Sequence, residues 1–259
     1  MVNLSPRVAG FVRLLFLVGG AGALALLAWI GLEWVTWPDV ALLGSTDPPS
    51  TAFIDRYRSR TQADSTLRPL RWSPTDAISP FLARAVVCAE DMEFFDHAGF
   101  STHEIQAAIR DAITEGEAPR GASTITQQLA KNLWLSPSRS PVRKIEEALL
   151  TRQLERHLTK ERILYLYMNV VEFGQGIYGA ESAASYYFAK HARDLTPMEA
   201  AQLAASLPRP RSWNPVSTSS GYGAHVDRVW DRMRRAGYLD RHIPGSAMTP
   251  EAILHDQAR

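Results

Sequence analysis

The chain has 259 residues, 46% of them hydrophobic, with 28 Lys and Arg against 27 Asp and Glu. That length and apolar content suffice for one sizeable core, and a net charge of +1 argues against nucleic acid as the main partner. A single cysteine, Cys88, excludes an intramolecular disulfide framework, and no Cys/His cluster has zinc-ligand spacing, so no metal site is expected.

From Leu14 to Leu32 the chain carries no charge. As a helix such a run covers roughly 28 Å, close to the hydrocarbon thickness of a bilayer. We predict a transmembrane helix over 14–36, with residues 1–13 as a cytoplasmic N-terminus. Arg7 and Arg13 precede the run while Glu33 and Asp39 follow it, which puts everything after the helix outside the cytoplasm. Trp34 and Trp37 suit the outer aromatic belt. The rival reading is a cleaved signal peptide, but the apolar run is longer than a usual signal core and ends without a small-residue cleavage site.

Residues 37–52, with Pro38, Pro48 and Pro49, read as a short stalk. The soluble body is expected from Phe53 to Pro215, and from about Ser79 it reads as almost wholly helical. Ser79-Pro80 and Ser140-Pro141 place a capping hydroxyl before proline at the first helical position, Ser101-x-x-Glu104 is a capping box, and Thr196-Pro-Met-Glu199 combines both devices. No alternating β-rich segment of useful length appears. Residues 216–259 read as an extension with an Arg-rich helix around His225 to Ala236.

Arg120-Gly-Ala-Ser-Thr-Ile-Thr-Gln-Gln-Leu-Ala-Lys-Asn132 holds an unusual collection of hydroxyls, amides and an ammonium. If Ser123 starts a helix, Thr124, Gln127, Gln128 and Lys131 share one face, while Ile125, Leu129 and Leu133 form an apolar stripe. A face of that kind suits an oxygen-rich ligand; the alternative is a solvated helix surface, although surfaces usually employ Glu, Lys and Arg.

In the helix opened by Pro80, Glu90 has Val86 and Val87 one turn before it and Phe94 one turn after it. An apolar setting raises a carboxyl's pKa toward what a general base requires. A carboxylate paired with an arginine at a helix end is the plainer alternative. Glu147 sits four residues past Arg143 and three past Lys144, so the three neighbour one another on a helix. Alone that is an ordinary ion-pair ladder; with Lys131 and Arg139 nearby in sequence the same cations can clamp a phosphate or pyrophosphate. The glycines of Asn169 to Gly179 permit close backbone approach to a ligand, a weak signal by itself.

Five ordered blocks now stand in the sequence: Glu90-Asp91-x-x-Phe94-x-x-His97-x-Gly99; Gly121-x-Ser-Thr-Ile-Thr-Gln-Gln-Leu-x-Lys-Asn132; Arg143-Lys144-x-x-Glu147; Ile163-Leu-x-x-Tyr167-x-Asn169 through Gly179; and Glu199-Ala-Ala-x-Leu-Ala204 leading to Pro208 and Trp213-Asn-Pro215. Together they closely resemble the family 51 glycosyltransferases, which polymerise the glycan strands of peptidoglycan. The resemblance implies a mainly α, lysozyme-like two-lobed domain, here preceded by one membrane helix, with the stretch after Gly99 in the smaller, membrane-apposed lobe. It implies that Glu90 deprotonates the acceptor sugar's 4-hydroxyl, that Glu147 is the second acid, and that Lys131, Arg139, Arg143 and Lys144 stabilise the departing pyrophosphate. Asp91, Ser123, Thr124, Gln127, Gln128 and Asn132 would shape the cleft and contact sugars or phosphates.

By the same resemblance the partners are lipid II, the lipid-linked glycan strand and the inner membrane, with the catalytic domain in the periplasm. Cell-division or wall-synthesis proteins are open as further partners. No cofactor is implied, and a divalent cation requirement is left open. None of the four lysines, Lys131, Lys144, Lys160 and Lys190, has a serine three residues before it, so the transpeptidase Ser-x-x-Lys motif of many relatives is absent and the monofunctional branch is expected. Two other readings stay open: a lytic transglycosylase-like hydrolase acting on finished strands, and a non-catalytic scaffold that binds lipid II.

Overall fold

The computed structural model describes residues 37–61, 71–101, 123–138 and 140–239, together with Gly19, Gly20 and Leu24. The expected membrane helix at 14–36 therefore lies almost wholly outside the described residues, although those three isolated positions are helical. The capping box at Ser101-x-x-Glu104, Gly121, Arg139 and the tail from 240 also lie outside them, apart from Ser101 itself. Among the described residues no helix is long and apolar enough to cross a membrane. The chain divides into two units, Met1–Asp39 and Val40–Arg259, and the second carries everything that follows.

That unit is mainly α-helical. Its described helices are α1 (Ala52–Arg60), α2 (Pro80–Glu90), α3 (Ile125–Trp134), α4 (Pro141–His157), α5 (Lys160–Val170), α6 (Ala180–Phe188), α7 (Pro197–Ala204) and α8 (Ser220–Arg235). A two-stranded antiparallel hairpin, β1 (Glu172–Gly174) and β2 (Ile177–Tyr178), follows α5. The hairpin turn is Gly176 at φ +71°, and the Tyr57 ring of α1 occupies the space a side chain there would need.

The proline starts at 80, 141 and 197 are where the caps place them, but the caps differ in chemistry. Ser140 accepts from the Arg143 amide, and Thr196 forms a full capping box with Glu199. Ser79 makes no cap: its hydroxyl donates to the Leu195 carbonyl at 3.0 Å, tying the start of α2 to the chain entering α7. Helix α5 is the centre of the core, with every residue from Ile163 to Val170 buried. Helix α2 packs its Leu82 to Cys88 stretch against α7 and α8, while α3 lies against α4 and α5.

Two boundaries differ from the sequence reading. Residues expected as a stalk are folded onto the body: Val40 and Leu43 are buried in a 3-10 turn against α4. Arg162 donates to the carbonyls of Leu43 and Thr46 and pairs with Asp47 at 2.9 Å. Proline and glycine content signalled an irregular path, and an irregular path can still be packed. The helix read as part of a C-terminal extension begins five residues earlier than His225 and belongs to the core. Its Tyr222, Val226, Val229 and Met233 are buried, and Arg232 donates to the Cys88 carbonyl at 2.8 Å. Cys88 itself is buried, and burial pushes its thiol up to about 11, leaving it an inert core side chain.

Gly99 closes the turn after Phe94 at φ +89°, where an added Cβ would lie 2.7 Å from Thr151 Cγ2 of α4. Gly99→Ala combines a left-handed backbone with a steric clash, so a loss of about 2 kcal/mol and a melting temperature lower by about 4–8 °C are expected. Thermal unfolding by circular dichroism measures it, and an unchanged midpoint would contradict the geometry.

Candidate active site

Glu90 is the last residue of α2, where the helix runs out of the core and leaves the carboxylate half-buried. Opposite it, α3 is capped by Thr124 and begins at Ile125, two residues later than the Ser123 start considered from spacing. Thr124 and Gln127 form a capping box, the Thr124 side chain accepting from the Gln127 amide and Gln127 Oε1 accepting from the Thr124 amide. The Thr124 hydroxyl also donates to the Gly99 carbonyl at 2.8 Å. Both side chains are buried and build the helix start, and neither is among the residues lining the groove that holds Gln128 and Lys131. Helical spacing placed them together only because it took no account of the backbone amides that a first turn leaves to be satisfied.

Gln128 does face Glu90. Its Nε2 donates to Glu90 Oε2 at 2.6 Å and to the Ser123 carbonyl at 3.4 Å, while its Oε1 accepts from the Tyr167 hydroxyl at 2.8 Å. Asn132, one turn on, is buried and donates to the Gln128 carbonyl at 2.8 Å. Asp91 turns inward. Only 2% exposed, it accepts from the Ile125 amide at 3.0 Å and from His97 Nε2 at 2.9 Å. The other ring nitrogen of His97 accepts from the Gly99 amide, so Nε2 carries the ring proton. Asp91 thus shapes the site from beneath by fixing the first turn of α3 to the end of α2.

The second carboxylate, Glu147 on α4, is 3% exposed. Arg143 Nη1 donates to it at 2.6 Å and Lys144 pairs with its other oxygen. An ion-pair ladder on a solvated face would leave that carboxylate open to water; here it is enclosed and concentrates two cations. Arg143 keeps one further buried N–H, on Nε, without a hydrogen-bond partner among the described residues.

Lys131 feels both carboxylates electrostatically. Burial pulls its pKa below the ordinary lysine range; Glu147, and more weakly Glu90, act to raise it, while Arg143 and Lys144 lower it further. One ammonium therefore lies in the field of both acids and both neighbouring cations. Gln128, Lys131 and Asn132 line a groove of about 370 Å3 together with Glu172, Arg209 and Arg211. Glu172 is the first residue of β1; burial raises its carboxyl, and the Gly176 amide at 3.0 Å and Arg211 at 3.8 Å oppose that. The Arg209 guanidinium stacks 5.2 Å over the Trp213 ring.

Sequence reasoning missed Glu172, Arg209, Arg211 and the role of Tyr167 in this arrangement. The segments containing them were singled out, but nothing local distinguishes an arginine after a proline turn that lines a groove from one that does not. Arg139 lies outside the described residues. Among those described, no group of His, Cys, Asp and Glu is arranged to hold a metal ion.

The groove of this helical domain thus carries Lys131, Arg209 and Arg211 beside Glu172, cationic side chains of the kind that bind phosphate groups. A sequence profile of the transglycosylase family matches residues 59–234. The chain is 39% identical over 226 residues to the biosynthetic peptidoglycan transglycosylase of Chromobacterium violaceum, covering 85% of this chain and 96% of the relative. It is 44% identical over 220 residues to the protein of the same name from Azoarcus sp. (strain BH72), covering 83% and 94%. It is 46% identical over 199 residues to that of Thiobacillus denitrificans, covering 75% and 83%. The chain belongs to the transglycosylase family and is a glycosyltransferase.

Proposed function

We propose that this enzyme polymerises peptidoglycan glycan strands from lipid II. The observation that carries the proposal is the ammonium of Lys131 lying in the field of both Glu147 and, more weakly, Glu90, with Arg143 and Lys144 paired to Glu147. In this reading Glu90 accepts the proton of the acceptor's GlcNAc 4-hydroxyl as that oxygen attacks C1 of the donor strand. The C1–oxygen bond to the pyrophosphate breaks with inversion, and undecaprenyl pyrophosphate leaves with the electron pair. The proton on Glu90 passes to solvent before the next turn. Lys131, Arg143, Lys144 and, from the sequence resemblance, Arg139 stabilise the charge that develops on the leaving group. The pyrophosphate leaves already ionised, so the reaction needs no strong general acid, unlike glycoside hydrolysis.

Gln128, Asn132 and Ser123 serve as cleft residues, and Asp91, Thr124 and Gln127 hold them in place. The domain is read as lysozyme-like and two-lobed, tethered by a membrane helix at 14–36 with its site in the periplasm. Tethering raises the effective concentration of an enzyme toward lipid-anchored substrates. The exposed Val142, Ile145 and Leu149, spaced along one side of α4, suit a surface held against lipid.

Purified full-length protein incubated with lipid II alone tests the reading. Glycan polymer and released undecaprenyl pyrophosphate are expected. Solubilisation of sacculi without polymer would replace synthesis with lysis, and binding of lipid II without turnover would leave a scaffold.

A further inference from the structure

Tyr167 lies in the centre of α5, with no exposed surface, and its hydroxyl reaches out of the core to one atom of the site. That atom is Gln128 Oε1, at 2.8 Å. Gln128 in turn presents an N–H to Glu90 at 2.6 Å. We propose that Tyr167 is a positioning residue for the Glu90 base, acting through the side-chain amide of Gln128. The inference rests on the reading of Glu90 as the base.

A side-chain amide is asymmetric in its hydrogen bonding. One end of the Gln128 side chain donates and the other accepts, and the two ends are nearly equal in shape. With N–H toward Glu90, the ionised carboxylate receives a charge-assisted hydrogen bond. With the amide reversed, two acceptors face each other, and only a protonated Glu90 is accommodated. The hydroxyl of Tyr167 decides between these states, because a buried O–H needs an acceptor and finds it in Oε1. Burial, and the nearby charges of Glu90 and Asp91, raise the Tyr167 pKa well above the ordinary value, so the hydroxyl keeps its proton across the working range. The bond from Gln128 to the Ser123 carbonyl at 3.4 Å acts in the same sense.

Other charged groups face this region as well. Lys131 approaches from α3 and is coupled to Glu90. Asp91, held by His97, follows it in sequence and is 2% exposed. Arg84 of α2 bonds the Tyr238 carbonyl, and Arg232 of α8 bonds the Cys88 carbonyl, two residues before Glu90. From α7 the one charged side chain is Glu199, engaged by Lys190 and its own capping box. Among the described residues, Tyr167 is the one that bonds the Oε1 end of the Gln128 amide, and so it sets the direction of that amide.

The test is the pH dependence of the initial rate at subsaturating lipid II, which reports ionisation of the free enzyme. Tyr167→Phe is expected to move the acid limb upward by about one pH unit, a loss of about tenfold at pH values below the limb, with the parent rate regained well above it. Gln128→Ala is expected to move the limb at least as far, and adding Tyr167→Phe to it should move the limb no further. An unmoved limb in Tyr167→Phe overturns the proposal, as does a loss equal at all pH values or a shift that persists undiminished in the Gln128→Ala background. Should Tyr167→Phe fail to fold, an unmoved limb in Gln128→Ala overturns it equally. Glu90→Gln run in parallel separates the two levels: an active Glu90→Gln removes the base itself, whereas an inactive one beside an unmoved Tyr167→Phe limb removes the role of Tyr167 alone.

Discussion

Glu90→Gln is expected to lower polymerisation of lipid II by about 10²- to 10⁴-fold, the usual worth of a positioned general base. The substitution keeps the side chain's shape, and a glutamine there can still turn its carbonyl oxygen toward the Gln128 amide that now donates to the carboxylate at 2.6 Å. Glu90 is half-buried at a helix end, with α2 anchored by its apolar side against α7 and α8, so folding should be little affected. Quantifying polymer alongside thermal unfolding separates the two. Activity within a few-fold of the parent would take Glu90 out of its role as base.

Lys131→Met is expected to cost about 10²- to 10³-fold in turnover, as does removal of a preorganised group that meets developing negative charge, while leaving the melting temperature unchanged or higher. The unchanged or higher melting temperature follows from proton linkage. Burial depresses the folded-state pKa of Lys131 more than Glu147 and Glu90 restore it. The folded protein therefore binds this proton more weakly than the unfolded chain does, and the charged lysine subtracts from stability at neutral pH. That penalty fades as pH rises through the depressed pKa toward the unfolded value. Methionine fills similar volume without the charge. A collapse in melting temperature would make Lys131 structural, and a full rate in Lys131→Met would remove it from the leaving-group site. Lys131→Arg offers a companion reading: an arginine holds its proton at every working pH, so any basic limb that reports Lys131 should move upward or vanish.

Much of the molecule was legible beforehand. Proline at a first helical position has a local cause, the fixed φ and the amide it lacks, and the starts of α2, α4 and α7 could be read from it residue by residue. The neighbourly spacing of Arg143, Lys144 and Glu147 on α4 was equally local. What spacing misjudged was the environment. Glu147 looked like one rung of a solvated ladder and is enclosed, because α4 packs that face against its neighbours. Thr124 and Gln127 looked like ligand-facing polar groups and are consumed by the first turn of α3. The expected membrane helix and Arg139 lie outside the described residues.

Order along the chain, then, was enough for a mainly helical domain with five motif blocks, since these depend on periodicity and on contacts within a turn or two, while the resemblance of those blocks to a known family is what pointed to an enzyme and to Glu90, Glu147 and Lys131. The three-dimensional packing was needed to bring Glu172, Arg209 and Arg211 to the groove that Lys131 lines, to turn Asp91 inward, and to hang Gln128 between Glu90 and Tyr167. Those partners lie tens of residues apart, and no local rule reaches that far: which side chains meet depends on how helices pack around α5, a property of the whole core.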